Sequence, residues 1–308
     1  MTSEKTILFE PWGLGDALIA LAAAIQDSTR IAIACNPRWI PLLRAVTHDM
    51  QAPDLMPVSL DYVSRSKSRS FDLGKRDGIK GQFEVLTIRG DMRDYLAARR
   101  MFPSARVKMT GWYAFLAKRS PIFDLPFSTG LIQVNNRYEA WASLAKVRWA
   151  DVVKYYSDKS AVVDGPIVIH VGANYQSRQY PHVADLIEHL QDSYPIRILA
   201  GPNDPLPEGI KAEQVCHLVD GEIVEALKAS RLVITNDSGP MHLAAILRCR
   251  TIVVTRQAAI REWLPPTATA IESIHSPKGY RSYPLSDRVW TGWPTAEEVA
   301  KRLAQLPL

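Results

Sequence analysis

What most constrains this chain is an alternation, run through twice, of short β-branched or apolar stretches with helix-patterned ones. In the first series, residues 6–10, 30–35, 83–88 and 106–110 read as strands. Residues 17–26, 37–46 and 92–101 between them read as helices, with Pro37 at a first-turn position where its missing N–H costs nothing. A second series begins near Pro166, with strands expected at 167–171, 196–201, 215–219, 232–235 and 251–255. Its helices are expected at 181–193, 222–229 and 240–247. Strands that alternate with helices make a parallel sheet covered on both faces, because each crossover must lie over the sheet. Two such series in 308 residues predict two Rossmann-like, doubly wound α/β domains, 1–160 and 161–290. A terminal helix within 291–308 is announced by Thr295 and Glu298 at capping-box spacing, and is expected to pack back on the N-terminal domain. The polar, Gly- and Ser-containing stretch 64–80 reads as a loop. Open sheets of this kind take ligands at the carboxyl ends of their strands, so two of them facing each other predict a central cleft.

Composition removes several classes of function. Apolar residues make up 47% and charged residues 22%, which suits a packed globular protein. No apolar run approaches the roughly 18 residues a bilayer crossing needs, and the longest, 17–25, follows Asp16 and reads as a buried helix. The only charges before the first strand are Glu4 and Lys5, unlike a secretory signal. Cys35, Cys216 and Cys249 have neither metal-ligand nor CxxC spacing, which predicts buried thiols in a reducing compartment, the cytoplasm. Charge is lopsided: residues 1–160 hold 23 Lys and Arg against 16 Asp and Glu, whereas 161–308 hold 14 against 16. Between Arg65 and Arg119 there are 14 basic and 5 acidic side chains. Such a face is either merely solvated or attracts phosphates, anionic sugars or an acidic membrane surface. Nucleic acid is the weakest partner, because the basic stretch lacks interleaved aromatics and any recognised motif.

Three stretches carry chemistry. The first strand runs into Pro11-Trp12-Gly13-Leu14-Gly15-Asp16 and then a helix, and Gly13 and Gly15 allow a tight turn and close approach of a ligand. A dinucleotide fingerprint fails here, since Leu18 stands at the third glycine and the second strand ends at Cys35-Asn36 without an acidic residue. Asp16 is either a helix cap or a general base facing the cleft, where its carboxylate takes a proton from an attacking hydroxyl. The second stretch, His170 to Pro181, joins a strand to a helix through a polar loop, and Arg178 in it has the fork geometry for a diphosphate. His170 reads as a core histidine. The third, Thr235-Asn236-Asp237-Ser238-Gly239-Pro240-Met241-His242, ends an apolar strand and starts a helix. Its backbone N–H groups at Ser238 and Gly239 form an anion site, with Asp237 beside them. His242, one turn on, either faces the cleft or packs in the core.

With these residues in view the chain resembles glycosyltransferase family 9, the group of ADP-heptose:lipopolysaccharide heptosyltransferases. The likeness is densest over 222–254, where helix, strand, Asp237-Ser238-Gly239-Pro240-x-His242-Leu-Ala-Ala and the next strand follow in the family's order. Arg178-x-Tyr180-Pro181 is similar to the family's Lys-x-Trp-Pro segment, and Gly15-Asp16 to its N-terminal Gly-Asp. The resemblance implies a GT-B fold and an inverting, metal-independent glycosyl transfer with no cofactor, the donor being a nucleoside-diphosphate sugar. It makes Asp16 the catalytic base and the first domain the acceptor-binding one. Arg178, Asp237, Ser238, Gly239 and His242 become donor contacts on the second. It further implies a heptose-like sugar, an anionic glycan or glycolipid acceptor such as lipopolysaccharide core, and a cytoplasmic enzyme that touches the inner membrane peripherally through its basic domain. The sequence departs from the family at Ala22, where a proline is usual, at Arg178 in place of lysine, and at 255–263, which replace a Gly-rich turn. The rival readings are a sugar-nucleotide epimerase of the same fold and a non-catalytic nucleotide-sugar-binding protein.

Overall fold

The computed structural model describes residues 5–58, 82–88, 92–109, 136–158, 162, 164–173, 178–202, 204, 206–211, 214–217, 221–256, 258–272 and 292–306. Most of the basic stretch between Arg65 and Arg119, and all of the expected loop at 64–80, lie outside them. The chain divides into two compact units, Met1–Val152 and Val153–Leu308.

In the first unit the order is β1 (Lys5–Glu10), α1 (Leu14–Ala24), β2 (Ile31–Cys35), α2 (Ile40–Val46), β3 (Asp54–Pro57), β4 (Phe83–Thr87), α3 (Met92–Met101), β5 (Arg106–Met109), α4 (Arg137–Leu144) and α5 (Trp149–Ser157), the last running across the division. Its strands among the described residues are all parallel and lie in the order β3-β2-β1-β4-β5. One face of the sheet, with Ile7, Phe9, Ala34 and Val85, is closed by Tyr95 and Ala98 of α3 and by Phe102 just after it. Helix α1 is buried at every position from Ala17 to Ala24 because α4 packs over it, with Tyr138, Trp141 and Ala142 buried. That double cover explains why the run 17–24 carries no polar face.

The second unit follows with β6 (Ile167–His170), α6 (Val183–Leu190), β7 (Ile196–Ala200), β8 (Val215–His217), α7 (Glu222–Lys228), β9 (Leu232–Thr235), α8 (Gly239–Ile246), β10 (Thr251–Thr255), β11 (Thr269–Glu272) and α9 (Ala296–Ala304). Its six parallel strands are ordered β11-β10-β9-β6-β7-β8. Counted from β6 this is the 3-2-1-4-5-6 winding of nucleotide-binding sheets, and the first unit's order is the same winding one strand short. Strand order therefore reverses between β1 and β4 in one sheet and between β6 and β9 in the other. Those two reversals are where the loops after the strands diverge and leave room for a ligand.

Helix α9 begins with the expected capping box: Glu298 N–H donates to Thr295 Oγ1 at 3.1 Å and Thr295 N–H to Glu298 Oε2 at 2.7 Å. Ala296, Val299 and Leu303 are committed to the second unit's own core, against α6. All three cysteines are free thiols, and burial pushes Cys35 and Cys249 up to about 12, which makes them inert. Among the described residues no helix is long and apolar enough to cross a membrane.

Candidate functional site

In the second unit the loops after β6 and β9 meet at the strand-order reversal, and Asn236 joins them. Asn236 is 1% exposed. Its Nδ2 donates to the Gly172 carbonyl at 3.0 Å and approaches that of His170 at 3.5 Å, while Oδ1 accepts from Tyr180 N–H at 3.2 Å. One amide thus satisfies backbone groups on both flanks of the loop that carries Arg178. Gly172 is glycine for a spatial reason: the Asp204 carboxylate, which accepts from Gly201 N–H at 2.6 Å, lies where a Cβ would be.

The sequence-predicted donor residues come together around that joint. Arg178 Nη1 lies 3.5 Å from Asp237 Oδ2, with side-chain exposures of 31% and 16%. Burial pushes the Asp237 carboxyl upward, and the Arg178 guanidinium partly offsets this. Ser238 occupies the N-cap of α8 in an extended conformation but makes no side-chain cap. Its Oγ is turned instead to His170 Nδ1 and to the Asn236 carbonyl, each at 3.3 Å. The Ser238 hydroxyl therefore does not cap α8. The first turn, beginning Gly239-Pro240, carries no side-chain cap and keeps the positive end of the helix open to an anion.

Two histidines resolve from the alternatives. His170 is buried as expected of a core residue, yet it also positions Ser238. His242 takes the packed alternative, at 4% exposure. Burial lowers both imidazoles to about 3, so each is a neutral hydrogen-bonding group and a poor base.

In the first unit the loop between β1 and α1 is held as firmly. Asp16 stands in the first turn of α1, partly exposed, and its Oδ2 accepts from Gly13 N–H at 3.3 Å. A Cβ on Gly13 would lie 3.1 Å from that oxygen, so the glycine lets the carboxylate fold back. Asp16 is thus a helix cap by geometry, a role that leaves general-base chemistry compatible. Upstream, Trp12 Nε1 donates to buried Asp94 on α3 at 2.9 Å, and Trp39 Nε1 donates to the Trp12 carbonyl at 3.2 Å.

Sequence reasoning missed Asn236, Asp94, Asp204 and Arg256. The last follows β10 in the segment that departs from the family pattern, and is 4% exposed. An amide at the end of a continuous apolar strand was the available signal for Asn236. Among the described residues no group of three or more His, Cys, Asp or Glu side chains stands together as a metal site.

Comparison with known proteins decides the class. The family model "Glycosyltransferase family 9 (heptosyltransferase)" matches residues 145–278. Those residues are a family 9 glycosyltransferase domain. The resemblance read from 222–254 is borne out, and the chain is a glycosyltransferase in class, with two parallel-sheet α/β units of the GT-B type. Escherichia coli ADP-heptose lipopolysaccharide heptosyltransferase II is 17% identical, with a TM-score of 0.59 and 98% of each chain covered. E. coli heptosyltransferase WaaC, solved with ADP-2-deoxy-2-fluoro heptose, is 15% identical with a TM-score of 0.60, over 97% of this chain and 99% of that one. A family 9 glycosyl transferase from Veillonella parvula DSM 2008 is 16% identical with a TM-score of 0.59, covering 88% and 86%. No curated protein sequence matches the chain. At such identities the structural likeness speaks for the fold, and the family match for the class.

Proposed function

We propose that this glycosyltransferase moves a heptose-like sugar from a nucleoside-diphosphate donor to a hydroxyl of an anionic glycan, such as lipopolysaccharide core, with inversion at the anomeric carbon. The observation that carries the donor half is the Asn236 joint, which brings Arg178 beside Asp237 and the uncapped start of α8. A diphosphate leaving group develops negative charge as the glycosidic bond breaks. The Arg178 guanidinium, 3.5 Å from Asp237, and the amides at Ser238 and Gly239 stabilise that charge without a metal ion. Asp237 holds Arg178 in place, and neutral His170 fixes the Ser238 hydroxyl. His242 packs within α8 and supports the turn. ADP-linked heptose in the relatives' names makes ADP the first nucleotide to try.

The acceptor half rests on Asp16. Its carboxylate takes the proton of the acceptor hydroxyl as that oxygen attacks the anomeric carbon, the C–O bond to the diphosphate breaks, and the nucleoside diphosphate leaves as the anion. Gly13 and Gly15 keep the loop narrow enough for the acceptor to approach. The basic excess of residues 1–160 suits an anionic acceptor and peripheral contact with an anionic inner membrane, and inert buried thiols suit the cytoplasm.

Calorimetry with ADP tests the donor half directly. Arg178→Ala should weaken ADP binding by about tenfold or more, the loss of a charge-assisted pair. Unchanged affinity would remove Arg178 from the site. Isomerised donor appearing without acceptor would favour an epimerase instead, and unchanged turnover in EDTA is expected.

A further inference from the structure

We infer that Trp12, Trp39 and Arg38 form the platform on which the acceptor glycan docks, the two indoles taking a sugar face and Arg38 a carboxylate or phosphate of the same glycan. The inference rests on the transferase reading above and gives its acceptor site named residues.

Strands β1 and β2 are parallel neighbours that end in register, Glu10 opposite Cys35. The segments that follow, with Trp12 after β1 and Arg38-Trp39 after β2, therefore leave the sheet side by side at its carboxyl edge. They are linked there, Trp39 Nε1 donating to the Trp12 carbonyl at 3.2 Å. Trp12 is fixed in turn by its own indole N–H, which donates at 2.9 Å to Asp94, a carboxylate only 1% exposed. The single polar atom of each half-buried indole is thus engaged by the protein, and the rest of each ring is apolar surface. Such a face matches the C–H surface of a pyranose. Holding it rigid in advance removes much of the ordering cost of binding.

Arg38 completes the platform. Its guanidinium lies 4.8 Å from the centre of the Trp39 ring, and among the described residues no carboxylate pairs with it. A guanidinium held over an indole by its cation–π attraction keeps N–H donors to offer, which a carboxylate or phosphate takes up with two parallel hydrogen bonds. An exposed arginine alone would be an ordinary solvated charge. This one is stacked on an indole, that indole is bonded to a second, and the second is anchored on a buried acid. The chain of contacts also continues to the chemistry, since Gly13, next to Trp12, donates its N–H to Asp16 at 3.3 Å.

The test is calorimetry on the intact protein with tetragalacturonate, with maltotetraose as neutral counterpart, and with ADP. Wild-type protein should bind tetragalacturonate about tenfold more tightly than maltotetraose. Arg38→Ala should abolish that preference. Trp39→Ala should weaken both oligosaccharides by about tenfold, and Trp39→Phe, which keeps a ring, should restore most of the loss. ADP affinity should stay within about twofold in every variant, and an unchanged far-ultraviolet circular dichroism spectrum shows that the variants fold. Equal binding of the two oligosaccharides by the wild type, no binding of either, or variants that bind both normally would overturn the platform. Failure of wild-type protein to bind ADP or any other nucleoside diphosphate would instead overturn the donor reading beneath it.

Discussion

At the scale of single residues, Asn236 shows how much one buried amide can organise. Replacing it with leucine keeps the volume but leaves Tyr180 N–H and the Gly172 carbonyl buried without their partner. Each such orphan costs about 1–3 kcal/mol, so Asn236→Leu should lose about 2–4 kcal/mol in urea unfolding. A loss below about 0.5 kcal/mol would mean the amide joins nothing of consequence. Asp16 poses a different question, because its cap geometry and its proposed chemistry use the same carboxylate. Asn at this position still offers an acceptor to Gly13 N–H but cannot take a proton. Asp16→Asn should therefore lower turnover by about 10²–10⁴ while ADP affinity and stability hold. Full turnover would reduce Asp16 to a cap.

At the scale of elements, two helices end on non-glycine residues in the left-handed region, Lys146 after α4 (φ 58°) and Arg248 after α8 (φ 63°). Both ends close with the paired bonds that normally favour glycine: Val147 N–H to Ala142 O and Lys146 N–H to Ser143 O in one, Cys249 N–H to Ala244 O and Arg248 N–H to Ala245 O in the other. Arg248 has a compensating contact over Tyr155, 5.7 Å from its ring centre. Lys146 is exposed, so Lys146→Gly should raise stability by about 1 kcal/mol, read as a higher urea midpoint. An unchanged or lower midpoint would show that the backbone there is not strained.

The same scale explains what could be read in advance. Strands β6, β9 and β10 are buried on both faces and read as continuous apolar runs, so their places were plain. Strands β3 and β11 were not foreseen. Both are four-residue edge strands, largely exposed or half-exposed, and β3 ends in Pro57. Helix α4 was missed because its apolar residues are scattered around the helix instead of forming a stripe. The loops of the site were legible, since helix-start chemistry and glycine spacing are local signals. The bonds that hold those loops were not, because Asn236 meets Tyr180 across 56 residues and Trp12 meets Asp94 across 82.

At the scale of the whole molecule, acidity acts most directly on the second unit. His170 and His242 stay neutral when folded, with pKa values lowered to about 3, and return toward about 6.5 when unfolded. Above that higher value neither state binds a proton and the pair contributes nothing to the pH dependence. Below it the unfolded chain takes up protons that the folded one refuses, so stability falls as pH drops towards 3. Asp237 works the other way: its raised pKa lets the folded state accept a proton first, which offsets part of the loss. Two histidines outweigh one aspartate, so unfolding of this unit should become easier by on the order of 1 kcal/mol per histidine for each pH unit below about 6. Urea titrations at about pH 7 and 5 measure it, and equal midpoints would refute it.

Tyr180 does more than receive an amide. Its hydroxyl donates to the Pro294 carbonyl at 3.0 Å across 114 residues of sequence, and its ring lies 5.6 Å from that of Trp293. During synthesis, the β6 strand and the turn bearing Arg178 therefore emerge from the ribosome well before the partner that moors them. Until residues 293 and 294 have been translated, a growing chain has the turn that carries Arg178 but not its mooring, so this corner of the second unit is completed late.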